Sequence, residues 1–310
     1  MKLIEDSSID SILKHLEVRL YSTPLLGEIK ATEQVIFEPL IDLSPGLHYR
    51  IFYRNKFIGE IQVPEVNKKN SAKLIAIYPS SDTLPENLLK IYFHFSAPMR
   101  EGEALKHISL LNNGDTLKNT FLDLQPELWN PNRTVLTLWL DPGRIKRDLI
   151  PNQKMGNPLK AGQKYQLKIS TDWKDAKGLN LSKGYIKDFV TGSPDYSFST
   201  PSNWILKLPQ AHTRQALHVI LKEPLDYFLL QETLSISGPN ELPLRCAVKI
   251  GFGEKSVSLI PEKNWASGNY LLKINPILED LAGNNLNRPF DRDINAPSAR
   301  ISSELKFKIN

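Results

Sequence analysis

Short runs in which apolar and polar residues alternate recur along the chain, and they predict β-strands rather than helices. Residues 74–78, 89–95, 135–140, 165–169, 217–221, 256–260 and 270–274 are each brief, rich in β-branched or aromatic side chains, and bounded by Pro, Gly or Asn. The 22 prolines are spread as punctuation between these runs and form no low-complexity tract. Helical spacing is scarce. Ile9, Ile12, Leu13 and Leu16 predict about two helical turns over 8–16, and 101–107 and 226–233 read as short helical turns between strands. An all-β chain follows, with turn signals close enough together for sandwiches of two packed sheets.

One strand pattern is followed each time by the same turn. Val35-Ile36-Phe37-Glu38-Pro39 precedes Gly46-Leu47-His48-Tyr49, and Val257-Ser258-Leu259-Ile260-Pro261 precedes Gly268-Asn269-Tyr270. A middle copy runs from Val135 through Pro142 to Gly162-Gln163-Lys164-Tyr165. An Asp-x-x-Gly turn then follows Tyr165, as Asp175 and Gly178, and Tyr270, as Asp280 and Gly283. Tyr165 to Tyr270 and Asp175 to Asp280 are both 105 residues, so the repeating unit is a whole domain. Further pieces match. Ile91-Tyr92-Phe93-His94-Phe95-Ser96-Ala97-Pro98 corresponds to His218-Val219-Ile220-Leu221-Lys222-Glu223-Pro224, and 105–110 to 232–236. The first copy holds the second of these pieces, at 13–18, but no opening strands before it.

This alignment predicts three β-domains: a partial sandwich with a short helix over 1–66, a sandwich over 74–193, and another over 203–310. Polar stretches at 64–73 and 191–203 serve as linkers. Two accounts of the short first domain stand side by side: a degenerate sandwich completed by a neighbour, or a chain whose natural sequence continues upstream of Met1. An incomplete sandwich leaves a sheet edge open to strand pairing with a partner.

Phe93-His94-Phe95-Ser96-Ala97-Pro98-Met99, the Gly-x-x-Tyr corner and Asp280-Leu281-Ala282-Gly283-Asn284 together resemble bacterial immunoglobulin-like domains of surface-layer proteins, adhesins and lipoproteins. The resemblance spans most of 74–293 and, more faintly, 13–63. It implies tandem Greek-key sandwiches, an extracellular or periplasmic location, and no particular chemistry, because this fold hosts many roles. The residues themselves agree with the fold. Tyr49, Tyr165 and Tyr270 stand where a tyrosine corner ties two sheets together, Gly46, Gly162 and Gly268 suit the turns before them, and Asp175 and Asp280 can accept backbone N–H bonds within tight turns. Calcium is the alternative for Asp172, Asp175, Glu279 and Asp280, although neither pair supplies the six or more oxygens the ion takes.

The middle copy departs from the ruler. Pro39 to Gly46 and Pro261 to Gly268 are seven residues, whereas Pro142 to Gly162 is twenty. The thirteen additional residues form a loop within 143–161, most distinctive over 143–156. Arg144, Lys146 and Arg147 lie in it, with Trp129 and Arg133 just before the adjoining strand. These five are the candidate contacts for a partner protein, a surface glycan or a polyanion, since arginine forks match carboxylate and phosphate and an indole offers a stacking face. The structural alternative is that the arginines tie the loop down and the tryptophans fill the core edge.

Composition narrows the rest. Over 310 residues, 41% are hydrophobic and 24% charged, as in a folded globular chain. A net charge of +5 is mild for this length and gives no general nucleic-acid role. No apolar run is long enough for a transmembrane segment, and Met1–Asp6 carries acidic residues where a leader would need apolar ones. The single cysteine, Cys246, lies in a strand pattern and reads as an inert thiol. His15, His48, His94, His107, His212 and His218 show no metal-ligand spacing, and no Gly-x-Ser-x-Gly elbow, P-loop or dinucleotide fingerprint is present. The reading that follows is a non-enzymatic binding, spacer or assembly protein without cofactor. The alternative is a carbohydrate- or polyanion-binding accessory module using 129–156, and a hydrolase built on the acidic turns is the third.

Overall fold

A computed structural model describes residues 14–31, 35–44, 46–64, 71–198, 200–291 and 302–310. The chain divides into two compact units, 1–70 and 71–310. The helix expected over 8–16 lies largely outside the described residues, and Leu16 within it opens a strand.

The larger unit contains two β-sandwiches. The middle one is built from β7 (Leu74–Tyr78), β8 (Thr83–Pro85), β9 (Lys90–Phe95), β10 (Ile108–Asn112), β11 (Asp115–Thr116), β12 (Leu128–Trp129), β13 (Val135–Trp139), β14 (Lys164–Ile169) and β15 (Tyr185–Gly192). Its sheets are ordered β12-β13-β9-β7 and β11-β10-β14-β15-β8, antiparallel except that β8 runs parallel to β15. The last sandwich uses β16 (Ile205–Lys207), β17 (Leu217–Ile220), β18 (Leu234–Ser237), β19 (Pro243–Leu244), β20 (Cys246–Ile250), β21 (Ser256–Pro261), β22 (Gly268–Ile274) and β23 (Glu304–Ile309). These form β16-β17-β21-β20 and β19-β18-β22-β23. Apart from β8, which has no counterpart in the last sandwich, the two orders are the same Greek-key, immunoglobulin-like arrangement. Helices are brief: α1 (Ala104–His107), α2 (Pro142–Ile145), α3 (Ile150–Met155) and α4 (Tyr227–Thr233). Among the described residues no helix is long and apolar enough to cross a membrane.

Alternation explains the packing. In β14, Tyr165, Leu167 and Ile169 face inward, and in β21 Val257, Leu259 and Pro261 do so. The middle core gathers Phe93, Phe95, Leu136, Leu138, Trp173 and Phe189, and the last one Leu217, Val219, Leu259, Trp265, Leu272 and Phe307. At about 25 cal/mol per Å² of apolar surface buried, such side chains supply the main driving force for each sandwich.

The predicted corners take a common form. The Tyr49 hydroxyl accepts from the Ser44 N–H at 2.8 Å, Tyr165 from Lys160 at 2.8 Å, and Tyr270 from Ala266 at 3.0 Å. Both Asp-x-x-Gly turns also share one geometry. An oxygen of Asp175 accepts from the N–H groups of Lys177 and Leu179, and one of Asp280 from Ala282 and Asn284.

The smaller unit repeats only part of this plan. It contains β1 (Leu16–Leu20), β2 (Thr23–Pro24), β3 (Gly27–Ala31), β4 (Val35–Pro39), β5 (His48–Tyr53) and β6 (Lys56–Gln62). Its sheet β2-β1-β5-β6 matches β11-β10-β14-β15 and β19-β18-β22-β23. Its β3-β4 hairpin matches β12-β13 and β20-β21, each of which continues into two more strands in the full sandwiches.

Candidate functional site

The inserted segment begins as β13 ends. The Asp141 carboxylate accepts from the Gly143 N–H at 2.8 Å and caps α2, with Pro142 at its first position. One turn later Ile145 is buried in the middle core, and Leu159 is buried where the segment returns. Arg144, next to Ile145, is itself buried. Its guanidinium donates to three carbonyls, of Asn119 at 2.8 Å, Gly156 at 3.0 Å and Asn157 at 3.0 Å. Burial lowers its pKa from the ordinary arginine value, opposed by the nearby Asp141 charge. Asn152 donates to the Arg144 carbonyl and to Asn157, whose amide reaches Glu86 at 2.9 Å. The fork of Arg144 is thus occupied by the chain's own backbone. What sequence shows as a loop is two short helical turns pinned from inside.

The other cations of the segment point toward the last sandwich. Arg147 Nε donates to Asp291 at 2.6 Å, and its guanidinium lies 4.3 Å from the centre of the Tyr196 ring. The Asp291 hydrogen bond raises the Arg147 pKa. Lys146 Nζ stands 4.6 Å from the centre of the Phe290 ring. Between these residues and the last sandwich runs a cleft of about 650 Å³, lined by Trp139, Lys146, Asp148, Glu279, Arg288 and Phe290 among others. The remaining two candidates are elsewhere. Arg133 sits in the turn before β13 with φ 52°, and Trp129 pairs with Leu136 near the start of that strand. At about 3.3 Å per residue, β13 places them roughly 20 Å from the insert. The Trp129 indole donates to Glu127 at 2.7 Å and its ring packs on Phe95 and Trp173. Arg144, Lys146 and Arg147 therefore share one end of the sandwich, while Trp129 and Arg133 belong to the other.

The seam between the two sandwiches holds a cluster that spacing along the chain does not reveal. Lys90 Nζ lies 3.0 Å from Asp226 and 2.8 Å from Glu279, and the Tyr92 hydroxyl donates to Asp226 at 2.6 Å. Burial alone would lower the Lys90 pKa, but Asp226 and Glu279 outweigh it and hold the amine charged. Burial, then the Asp226 charge, pushes the Tyr92 hydroxyl far above its usual range. The other Asp226 oxygen caps α4, accepting from Phe228 and Leu229. Around this cluster Tyr78 stacks on Tyr227 with ring centres 3.5 Å apart, and Phe228 meets both Tyr78 and Tyr92 edge-on. The Glu254 carboxylate accepts from the Ser80 N–H at 3.0 and 3.1 Å, and burial raises its pKa. Leu281 enters the middle core while its carbonyl accepts from the Leu89 N–H at 2.9 Å. Gly283 permits this approach: its φ is 82°, and an added Cβ would stand 2.4 Å from Leu89 Cδ2.

The aspartates weighed for calcium divide likewise. Asp172 is exposed, Asp175 is committed to its turn, and Glu279 accepts from Lys90. Asp280 stands in a group with Asp195 and Glu223, one oxygen of each within 4.8 Å of the others. Burial, with the charges of Asp195 and Glu223 added, pushes the Asp280 carboxyl up to about 8 against the hydrogen bonds from Asn284. The Cys246 thiol is half-buried and pushed up to about 11 by burial, which disfavours the thiolate.

No family model matches the chain, and no curated protein matches it. Among solved structures, domains MG0-NIE-MG1 of alpha-2-macroglobulin from Escherichia coli align over 78% of this chain and 91% of theirs, at 10% identity and a TM-score of 0.25. Domains 4–9 of the surface layer protein SbsC align over 95% of this chain and 38% of theirs, at 8% identity and a TM-score of 0.23. Extracellular domains 3–5 of Drosophila OTK align over 84% and 81%, at 10% identity and a TM-score of 0.17. The immunoglobulin-like fold assignment rests on the strand order of the chain itself.

Proposed function

We propose that this chain is a non-enzymatic module of a bacterial envelope or cell surface, in which tandem immunoglobulin-like sandwiches act as a rigid spacer and binding platform. The seam carries this reading. A flexible linkage between sandwiches would expose polar side chains to water, whereas here a lysine, two carboxylates and a tyrosine hydroxyl are paired with one another at the junction. Removing charges from water costs several kcal/mol unless geometry repays it, so such a cluster fixes one orientation more than it adds stability. Inter-domain contacts of ordinary kind leave relative motion as the default. The stacked tyrosines and the Leu89–Leu281 backbone bond oppose that motion.

Rigidity is measurable as a distance distribution. With Cys246 replaced by serine and spin labels at the exposed positions Lys118 and Lys249, pulsed electron paramagnetic resonance gives a single narrow distance. In the double variant Asp226→Ala, Tyr227→Ala the distribution broadens while β-sheet circular dichroism is retained. A broad distribution in the parent protein refutes the spacer reading.

A further inference from the structure

Among the described residues, the smaller unit differs from the two full sandwiches at the outer edge of β4. β13 pairs on one side with β12 and on the other with β9, and β21 likewise lies between β20 and β17. Their counterpart β4 pairs with β3, and among the described residues no strand lies on its other edge. The opposite sheet holds the four strands common to the equivalent sheets of both full sandwiches. Among the described residues the unit therefore has no counterpart of β9, nor, beyond it, of β7.

Side-chain exposure follows that gap. Val257 and Leu259, aligned with Val35 and Phe37, are each 1% exposed, as is Leu136 in the middle sandwich. Val35 is 43% exposed and Ile36 45%, while Leu40 and Ile41 beyond them reach 75% and 77%. An edge with bare backbone groups and apolar side chains is the template that strand addition uses.

We propose that the outer edge of β4 receives an extended strand from a partner polypeptide, run antiparallel and completing the sheet as β9 and β17 do elsewhere in the chain. The full sandwiches specify the chemistry of that strand. In each, two large apolar residues separated by one outward residue face the core beside β13 or β21. Ile91 and Phe93 stand opposite Leu138 and Leu136, and Leu217 and Val219 opposite Leu259 and Val257. The partner strand thus carries two bulky apolar residues at i and i+2, set against Phe37 and Val35. A second copy of β4 fits poorly: pairing centred on Phe37 sets the Glu38 charge against Ile36, and Pro39 brings no N–H to the ladder. This inference rests on reading the chain as a binding and assembly module. It is confined to the smaller unit, so the label distances in 71–310 test that reading independently.

The probe is a fluorescent peptide of the chain's own sequence Gln215–Glu223, added to the full-length protein. Expected are saturable one-to-one binding by anisotropy and slowed hydrogen exchange at the outward amides of Val35–Glu38, those not bonded to β3. A peptide with Leu217→Asp and Val219→Asp, or protein with Val35→Asp and Phe37→Asp, weakens binding by at least about tenfold. Hydrogen exchange on the unaltered protein makes the result independent of whether that variant folds. The proposal falls if the peptide does not saturate, or if protection appears only outside 35–38. It also falls if these outward amides are already protected without peptide, whether in a monomer or in a dimer detected by sedimentation.

Discussion

The seam between the two full sandwiches and the outer edge of β4 are both places where a β-domain meets something beyond itself, and the chain builds them from opposite materials. At the seam, Lys90, Tyr92, Asp226, Glu254 and Glu279 are drawn from strands, turns and a helix cap, and each finds its partner within the same unit. At the β4 edge the exposed apolar residues are Val35, Ile36, Leu40 and Ile41. Charged pairs are directional and reward one orientation, whereas apolar side chains beside a bare strand accept a range of sequences sharing one alternation. The first surface is suited to holding a fixed arrangement, the second to receiving a strand.

The sharpest way to break the contrast is at Asp226. Its carboxylate serves Lys90, Tyr92 and the first turn of α4 together, so Asp226→Ala leaves the buried amine with Glu279 alone, strips the Tyr92 hydroxyl of its acceptor and uncaps a helix. The expected loss is about 3–5 kcal/mol of unfolding free energy, read by urea titration of the full chain. Asp226→Asn keeps an acceptor for the helix and loses less. A change under about 1 kcal/mol would show that the seam is incidental.

Sequence made one half of the contrast visible and hid the other. Strand alternation, the tyrosine corners and the Asp-x-x-Gly turns are local, set by residues within about ten positions of each other, and the 105-residue interval brings them into alignment. The same ruler reads the first copy as lacking its opening strands, and residues 1–13 lie outside those described. The seam was not, because Lys90 and Asp226 stand 136 residues apart and neither carries a periodic signal. The cations around 143–156 were visible as a cluster, but not their directions. Arg144 turns into the sandwich because Ile145 and Leu159 anchor the segment on either side. Trp129 and Arg133 look adjacent in sequence, yet a whole strand separates them from the insert.

A middle-sized effect separates the two arginines of that insert. Arg144→Ala leaves three carbonyls without their donor, and the expected cost is about 1.5–3 kcal/mol. Arg144→Lys restores little of it, because an ammonium cannot span the fork. Arg147 is 58% exposed, and the screened pair with Asp291 limits Arg147→Ala to about 0.2–1 kcal/mol. Equal losses from the two variants would show that the insert is not held from within.

A further effect is one of pH, and it bears on how the seam tolerates buried acid. Asp280 has an ordinary carboxyl pKa when unfolded, near 3.8, and burial raises it to about 8 in the folded chain. The folded state then holds a proton that the unfolded state has released, so this group's stabilising contribution is complete below about pH 4 and is lost as pH rises through 8. The expected melting temperature accordingly declines between pH 5 and pH 8. Asp280→Asn keeps a side-chain oxygen for the N–H groups of Ala282 and Asn284 but cannot ionise, so it flattens that decline. If the slope persists unchanged in the variant, ionisation of Asp280 is not its source. The turn would then be held as a carboxylate by its two backbone donors, in the manner its geometry shares with Asp175.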